Sequence, residues 1–125
     1  MILNGMGGKR YSEQHALNSA RLMNAAQPEF LSTLVVSFPT GEERYRAGFR
    51  GKYEPLDQTG LFREMLCVLE NLELERTVFR SDHASNYLVL KGTLNRDRER
   101  LIATVRSALE QPGSVALRPE WMRGL

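Results

Sequence analysis

The sequence predicts an α/β fold of three βα units with mainly parallel strands. Short apolar or β-branched runs alternate along the chain with amphipathic helical segments, which is typical of βαβ units with right-handed crossovers. Proline and glycine mark the ends of several runs. The chain has 125 residues, the usual size of one domain, so we expect a single domain over residues 1–125.

Four runs are predicted to be strands because they are rich in apolar and β-branched residues. They cover residues 1–4, 30–38, 77–80 and 87–90. The first run leads directly into a glycine-rich turn, Gly5-Met6-Gly7-Gly8, before a helix. The spacing of these glycines does not match the fingerprints of dinucleotide-binding or Walker motifs. The segment is therefore either an ordinary tight turn or a turn that binds an anion.

Apolar residues at helical spacing predict three helices. The first is predicted over residues 12–26 and the second over residues 61–72. The third follows Asn95 and carries Leu101, Ile102, Val105, Ala108 and Leu109. Each has a residue favoured at helix N-caps near its start: Ser12, Asp57 or Thr59, and Asn95. Pro28 ends the first helix, and Pro112 with Gly113 ends the third.

Two segments are predicted to be irregular, a loop over residues 39–60 and a tail over residues 112–125. The loop follows a predicted strand, and ligand sites of α/β folds lie at the carboxyl ends of strands. Basic and aromatic residues interleave within its residues 44–53, as on a platform for single-stranded nucleic acid. Acidic residues on both sides dilute this charge, so a solvated loop or a substrate lid is the interpretation that the sequence favours over a nucleic-acid platform.

Composition excludes several classes of protein. The single cysteine, Cys67, cannot form a disulfide framework or a thiolate metal site within one chain, and we interpret it as a core residue. His15 is interpreted as a surface or capping residue.

No apolar run reaches the roughly 20 residues that span a bilayer. The first apolar residues precede Lys9 and Arg10, the reverse of a signal peptide, so we expect a cytoplasmic protein. The net charge of +2 alone does not indicate a partner.

A dense polar stretch, residues 81–87, contains serine, histidine and aspartate. Neighbours in one extended stretch point in different directions, which excludes a Ser-His-Asp triad. A polar turn is the simple interpretation. His83 and Asn86 remain candidates for hydrogen bonds to a ligand, and a small hydrolase centred on His83 is a further hypothesis.

Three stretches together resemble the C-terminal part of radical S-adenosylmethionine (SAM) proteins. They are Ile2-Leu3-Asn4-Gly5-Met6-Gly7-Gly8, then His15-Ala16 through Asn24 with Pro28, and then His83-Ala84-Ser85-Asn86-Tyr87-Leu88. The third is the most specific and continues into Lys91-Gly92-Thr93-Leu94 and Asp97. The match runs from Met1 to about Leu109.

This resemblance implies half of a partial (β/α) TIM-like barrel. Members bind a [4Fe–4S] cluster through a CxxxCxxC motif and cleave SAM to a radical. Leu3 and Gly5 match the fifth-strand motif that contacts SAM, whereas Gly8 stands where an acidic residue is common. His83 and Asn86 would face the substrate, a small molecule that the sequence does not specify.

The chain lacks the CxxxCxxC motif, so we expect it to be inactive alone. We also expect it to self-associate or to bind an N-terminal half-barrel, because half a barrel exposes strand edges and apolar surface. The alternative is a non-enzymatic binding module for a nucleotide or nucleic acid that uses residues 44–53.

Overall fold

A computed structural model describes residues 1–38 and 41–123. Pro39 and Thr40, with which the predicted loop begins, and Gly124 and Leu125, which end the predicted tail, lie outside the described residues. The helices and strands are, in chain order, β1 Ile2–Asn4, α1 Gly8–Ala26, β2 Phe30–Val35, α2 Glu43–Gly48, α3 Gln58–Asn71, β3 Thr77–Ser81, β4 Leu90–Leu94 and α4 Arg98–Glu110.

The four strands form one sheet in the order β1-β2-β3-β4. β1 pairs with β2 in parallel, and β2 pairs with β3 in parallel, which confirms the α/β class with a mainly parallel sheet. The third βα unit differs from the prediction. β4 is antiparallel to β3, and the predicted strand over residues 87–90 is mostly a connection that reaches β4 only at Leu90. The short connection over residues 82–89 explains the difference, because a parallel crossover needs about a dozen residues or more.

The helix boundaries also differ from the predictions in places. Asp57 is confirmed as the N-cap of α3, because its Oδ1 accepts a hydrogen bond from the Gly60 amide at 2.7 Å. Ser12 is not a cap, since α1 begins at Gly8. Asn95 is not the cap of α4 either: its side chain bridges the Leu72 carbonyl and the Leu74 amide, and Asp97 takes the N-cap position. The predicted loop over residues 39–60 contains the short helix α2.

The helices cover one face of the sheet. Alternate strand residues such as Ile2, Leu31 and Phe79 are buried in a single core with apolar residues of α1, α3 and α4. Residues of opposite parity lie on the other face and are more exposed; they include Leu3, Leu34, Val78 and Arg80, with Phe30 71% exposed. We call this surface the bare face. A parallel sheet usually has both faces covered, whereas the helices within residues 1–38 and 41–123 cover only one face of this sheet.

Candidate functional site at the carboxyl edge of the sheet

The carboxyl ends of the three parallel strands meet at one edge of the sheet. β1 is followed there by the turn that contains Gly5, and β3 is followed by the loop over residues 82–89 that contains His83 and Asn86. The structure therefore places the sequence-predicted site residues at a single edge, which is where ligands bind in α/β folds.

Buried side chains hold the turn after β1 in place through hydrogen bonds. Gly5 has a φ of 85°, in the left-handed region that favours glycine. Its amide donates to Glu64 Oε1 at 2.8 Å, and its carbonyl accepts from the Tyr53 hydroxyl at 3.0 Å. The backbone polar groups of Gly5 are thus satisfied internally and Gly5 itself is buried, so the half-buried side chain of Leu3 on the bare face is the contact that this region offers to a ligand.

Glu64 is the centre of this arrangement, although its side chain is completely buried. Its second oxygen accepts from the Ser12 hydroxyl at 2.7 Å. The His15 Nε2 lies 2.8 Å from the Leu3 carbonyl and 3.9 Å from Glu64 Oε1. A carbonyl only accepts, so this Nε2 carries the proton. His15 is therefore not a simple surface or capping residue but a half-buried donor that holds the end of β1.

His83 and Asn86 have different surroundings. His83 is exposed, and its Nδ1 accepts from the amide of Ser85 at 3.1 Å and contacts the Ser85 hydroxyl at 2.9 Å. Asn86 is 3% exposed, and its Nδ2 donates to the Thr33 carbonyl at 3.0 Å and to Ser81 Oγ at 3.3 Å. Of the two predicted substrate residues, His83 is thus accessible, whereas Asn86 fastens the loop to the sheet.

The pair of His83 and Ser85 does not form a nucleophilic site. Ser85 is 1% exposed, and its hydroxyl accepts from the Val35 amide at 3.1 Å. Asp82 points to a different partner, Lys91, at 3.6 Å. These contacts agree with the sequence argument against a triad, and they remove the geometric support for a hydrolase centred on His83.

Replacing Asn86 with alanine is expected to lower the free energy of unfolding by about 2 kcal/mol, because it removes two buried hydrogen bonds and leaves the Thr33 carbonyl without a donor. Urea unfolding measures the change. The matched variant His83→Ala should cost less than about 1 kcal/mol, since its side chain is exposed. Equal losses in the two variants would contradict this division of roles.

A small cavity lies beside these residues. Its volume is about 20 Å³, and its walls include Asn4, Ser81, Asn86 and Leu88. The buried Asn4 Oδ1 has no hydrogen-bond partner among the described residues. A cavity of this size and polarity suits one water molecule and is too small for an organic substrate.

The C-terminal segment completes the site, although the sequence predicts only an irregular tail there. The Arg118 guanidinium donates to the His83 carbonyl at 2.7 Å and to the Asn86 carbonyl at 2.6 Å. Arg123 donates to the Ser85 carbonyl at 2.8 Å and lies 4.0 Å from the centroid of the Tyr87 ring. No periodicity in the sequence indicates these contacts, because each arginine binds backbone carbonyls more than 30 residues away.

An aromatic cluster lies against the side of the Gly5 turn that faces α1 and α2. Tyr53 is 2% exposed, and its ring centroid lies 5.0 Å from that of Tyr45 and 5.1 Å from that of Phe49. Burial raises the pKa of Tyr53 to about 12, so its hydroxyl stays protonated and continues to donate to Gly5 at neutral pH. The hydroxyl of Tyr45 contacts the carbonyl of Met6. An open groove of about 440 Å³ runs between this cluster and α1, with His15, Asn18 and Tyr11 in its walls.

The residues present do not fit an iron–sulfur cluster. Residues 1–38 and 41–123 contain no group of three His, Cys, Asp or Glu side chains that could hold a metal ion. Cys67 is half-buried in α3, and burial raises the pKa of its thiol, which disfavours the thiolate that ligates iron. A cluster would need ligands from another chain or segment.

Comparison of the chain with models of protein families, with curated proteins and with solved structures finds no significant match. None of the helices within the described part of the chain is both long enough and apolar enough to cross a membrane.

Proposed function

We propose that this chain is the C-terminal half-barrel of a radical SAM protein, that it supplies the SAM and substrate side of the site, and that it performs no radical chemistry alone. The one-sided sheet is the observation that carries the proposal. In a (β/α) barrel the helices cover the outside and the strands enclose the interior, so the bare face corresponds to the interior of the barrel. Leu3, Leu34 and Val78 give this face an apolar centre.

The positions of the resembling segments support the same proposal. Gly5 and His83 lie at the carboxyl edge of the sheet, and the Leu3 side chain lies on the bare face beside it. We assign the contact with SAM to Leu3 and to the turn at Gly5, and the substrate side to His83. We assign Asn86 a positioning role, because its amide is occupied by Thr33 and Ser81.

The [4Fe–4S] cluster belongs, in this proposal, to an N-terminal half-barrel that carries the CxxxCxxC motif. When bound, the cluster supplies the electron that cleaves SAM. This chain's own residues hold the turn after β1 and shape the substrate side. We also propose a cytoplasmic location, since a reducing compartment keeps a lone thiol such as Cys67 free.

The bare face is the proposed partner surface, either for a second copy or for the N-terminal half-barrel. Analytical ultracentrifugation over a range of protein concentrations is expected to show reversible self-association. Leu34→Asp should abolish it by placing a charge on the bare face. Leu22→Asp is the matched control, since Leu22 is 62% exposed on α1, away from this face. A monomer at all concentrations would contradict self-association but not the second partner.

Co-expression tests the enzymatic part of the proposal. The chain is produced together with the N-terminal half of a radical SAM protein that carries the CxxxCxxC motif, and the purified complex is assayed for reductive cleavage of SAM to 5′-deoxyadenosine. We expect cleavage by the complex and not by this chain alone, with Leu34→Asp preventing assembly. If the two halves do not co-purify, whichever half carries the affinity tag, the result would count against the proposal.

A further inference from the structure

We propose that the surface formed by the first turn of α1 and the turn after α2 binds single-stranded nucleic acid. This inference is independent of the half-barrel proposal, because the surface lies on the side of the Gly5 turn that faces α1 and α2. It rests on a concentration of positive charge, on aromatic rings held in place, and on three adjoining grooves.

The charge is concentrated in two segments. Residues 9–10 and 42–54 contain six cationic side chains and three carboxylates, a net charge of +3 in a chain whose net charge is +2. One of these carboxylates, Glu42, pairs with Arg46 at 2.6 Å. Within the described parts of the chain, Lys9, Arg10, Arg50 and Lys52 have no carboxylate within 4.0 Å.

The location of two of these cations makes an anionic ligand favourable. Lys9 and Arg10 lie in the first turn of α1, which has no acidic residue. The positive end of a helix dipole repels cations, so these two side chains are placed where they cost stability unless an anion is bound. Lys52 and Arg50 belong to the turn after α2, and Lys52 shares two of the grooves with Arg10.

The grooves adjoin one another and therefore suit an extended ligand. The groove of about 440 Å³ shares Tyr11 and Phe49 with a second groove of about 500 Å³. The second shares Arg10 and Lys52 with a third of about 580 Å³, whose walls also include Glu54. Along this path an aromatic section with polar neighbours is followed by a cationic section. A strand of nucleic acid carries both groups that such a surface binds, since its bases stack on aromatic rings and its phosphates pair with cations.

The aromatic section is rigid before any ligand binds. Phe49 is packed on Tyr45 and Tyr53, with ring centroids 5.2 and 5.1 Å apart, and Tyr53 is itself buried and bound to Gly5. Tyr11 is 38% exposed and lies 6.0 Å from Phe49, so both rings border the grooves. Bases stack on such rings without regard to sequence.

Fluorescence anisotropy with labelled 12-nucleotide dT and rU strands tests the inference. At roughly 50 mM salt we expect a Kd in the micromolar range that weakens as salt rises, because phosphate contacts release counterions. The double variant Arg10→Glu/Lys52→Glu should bind at least tenfold more weakly. Phe49→Ala should weaken binding about tenfold, and Phe49→Tyr should keep most of it, because stacking requires only the ring.

The control variant is Arg21→Glu/Arg76→Glu, which has the same charge change. Both arginines are exposed, in the second half of α1 and just before β3. Circular dichroism and thermal unfolding establish that each variant is folded. Equal weakening by the control and the test variant would overturn the inference. Competition by a mononucleotide or inorganic triphosphate as strong as that by the oligonucleotide would also overturn it, because the site would then recognise phosphate rather than a strand.

Discussion

Replacing Glu64 with alanine is expected to lower the free energy of unfolding by about 3 kcal/mol. The carboxylate is buried and accepts from the Gly5 amide at 2.8 Å and the Ser12 hydroxyl at 2.7 Å. Alanine leaves the Gly5 amide without an acceptor and opens a void between α1 and α3, and each of these costs about 1 kcal/mol or more. Unfolding in urea, followed by circular dichroism, gives the difference in free energy.

Two further variants identify the cause. Glu64→Gln keeps an acceptor for the Gly5 amide and a polar group for the Ser12 hydroxyl, so it should cost only about 1 kcal/mol. Glu13→Ala, at an exposed position on α1, should stay within about 0.5 kcal/mol of the unchanged protein. If glutamine and alanine destabilise equally, the negative charge of Glu64, rather than its role as an acceptor, holds the turn.

Glu64 also shows where sequence reasoning about the site reaches its limit. The apolar stripe of α3, which includes Phe62, Met65 and Leu69, is evident from helical spacing and is confirmed as core. The presence of an acidic residue, Glu64, within this apolar stripe indicates a buried carboxylate. Its partners, Gly5 and Ser12, lie 59 and 52 residues away, and no local pattern indicates such distant contacts.

The fold is predictable to the extent that local chemistry determines it. Strands at residues 2–4 and 30–35, the cap at Asp57 and the helices α1, α3 and α4 follow from periodicity and capping preference, whereas α2 lies in a segment predicted to be an irregular loop. The direction of β4 depends instead on the length of the connection before it and on pairing with β3. The start of α1 is displaced from Ser12 to Gly8 because the Lys9 amide finds an acceptor in the Glu54 carbonyl at 2.8 Å, a tertiary contact.

This contact leads to the second large effect, which is expected from Gly8→Ala. Gly8 has a φ of 63°, and a Cβ at this position would lie 2.7 Å from the Glu54 carbonyl oxygen and 3.0 Å from the Tyr53 ring. The left-handed conformation costs a residue with a Cβ about 1 kcal/mol, and the close approach to a backbone atom adds about 2 kcal/mol. We therefore expect a loss of about 3 kcal/mol in urea unfolding.

Gly51→Ala separates the two contributions. Gly51 has a φ of 73° but has nothing within 4 Å of the position of its Cβ, so alanine there should cost only the conformational part, about 1 kcal/mol. The excess loss in Gly8→Ala then measures how closely α1 is held to residues 53–54.

Because the same contact sets the separation of Arg10 from Lys52, Gly8→Ala should also weaken oligonucleotide binding, and Gly51→Ala should weaken it less. A Gly8→Ala protein as stable as Gly51→Ala would show that the start of α1 can move away from Glu54 at little cost.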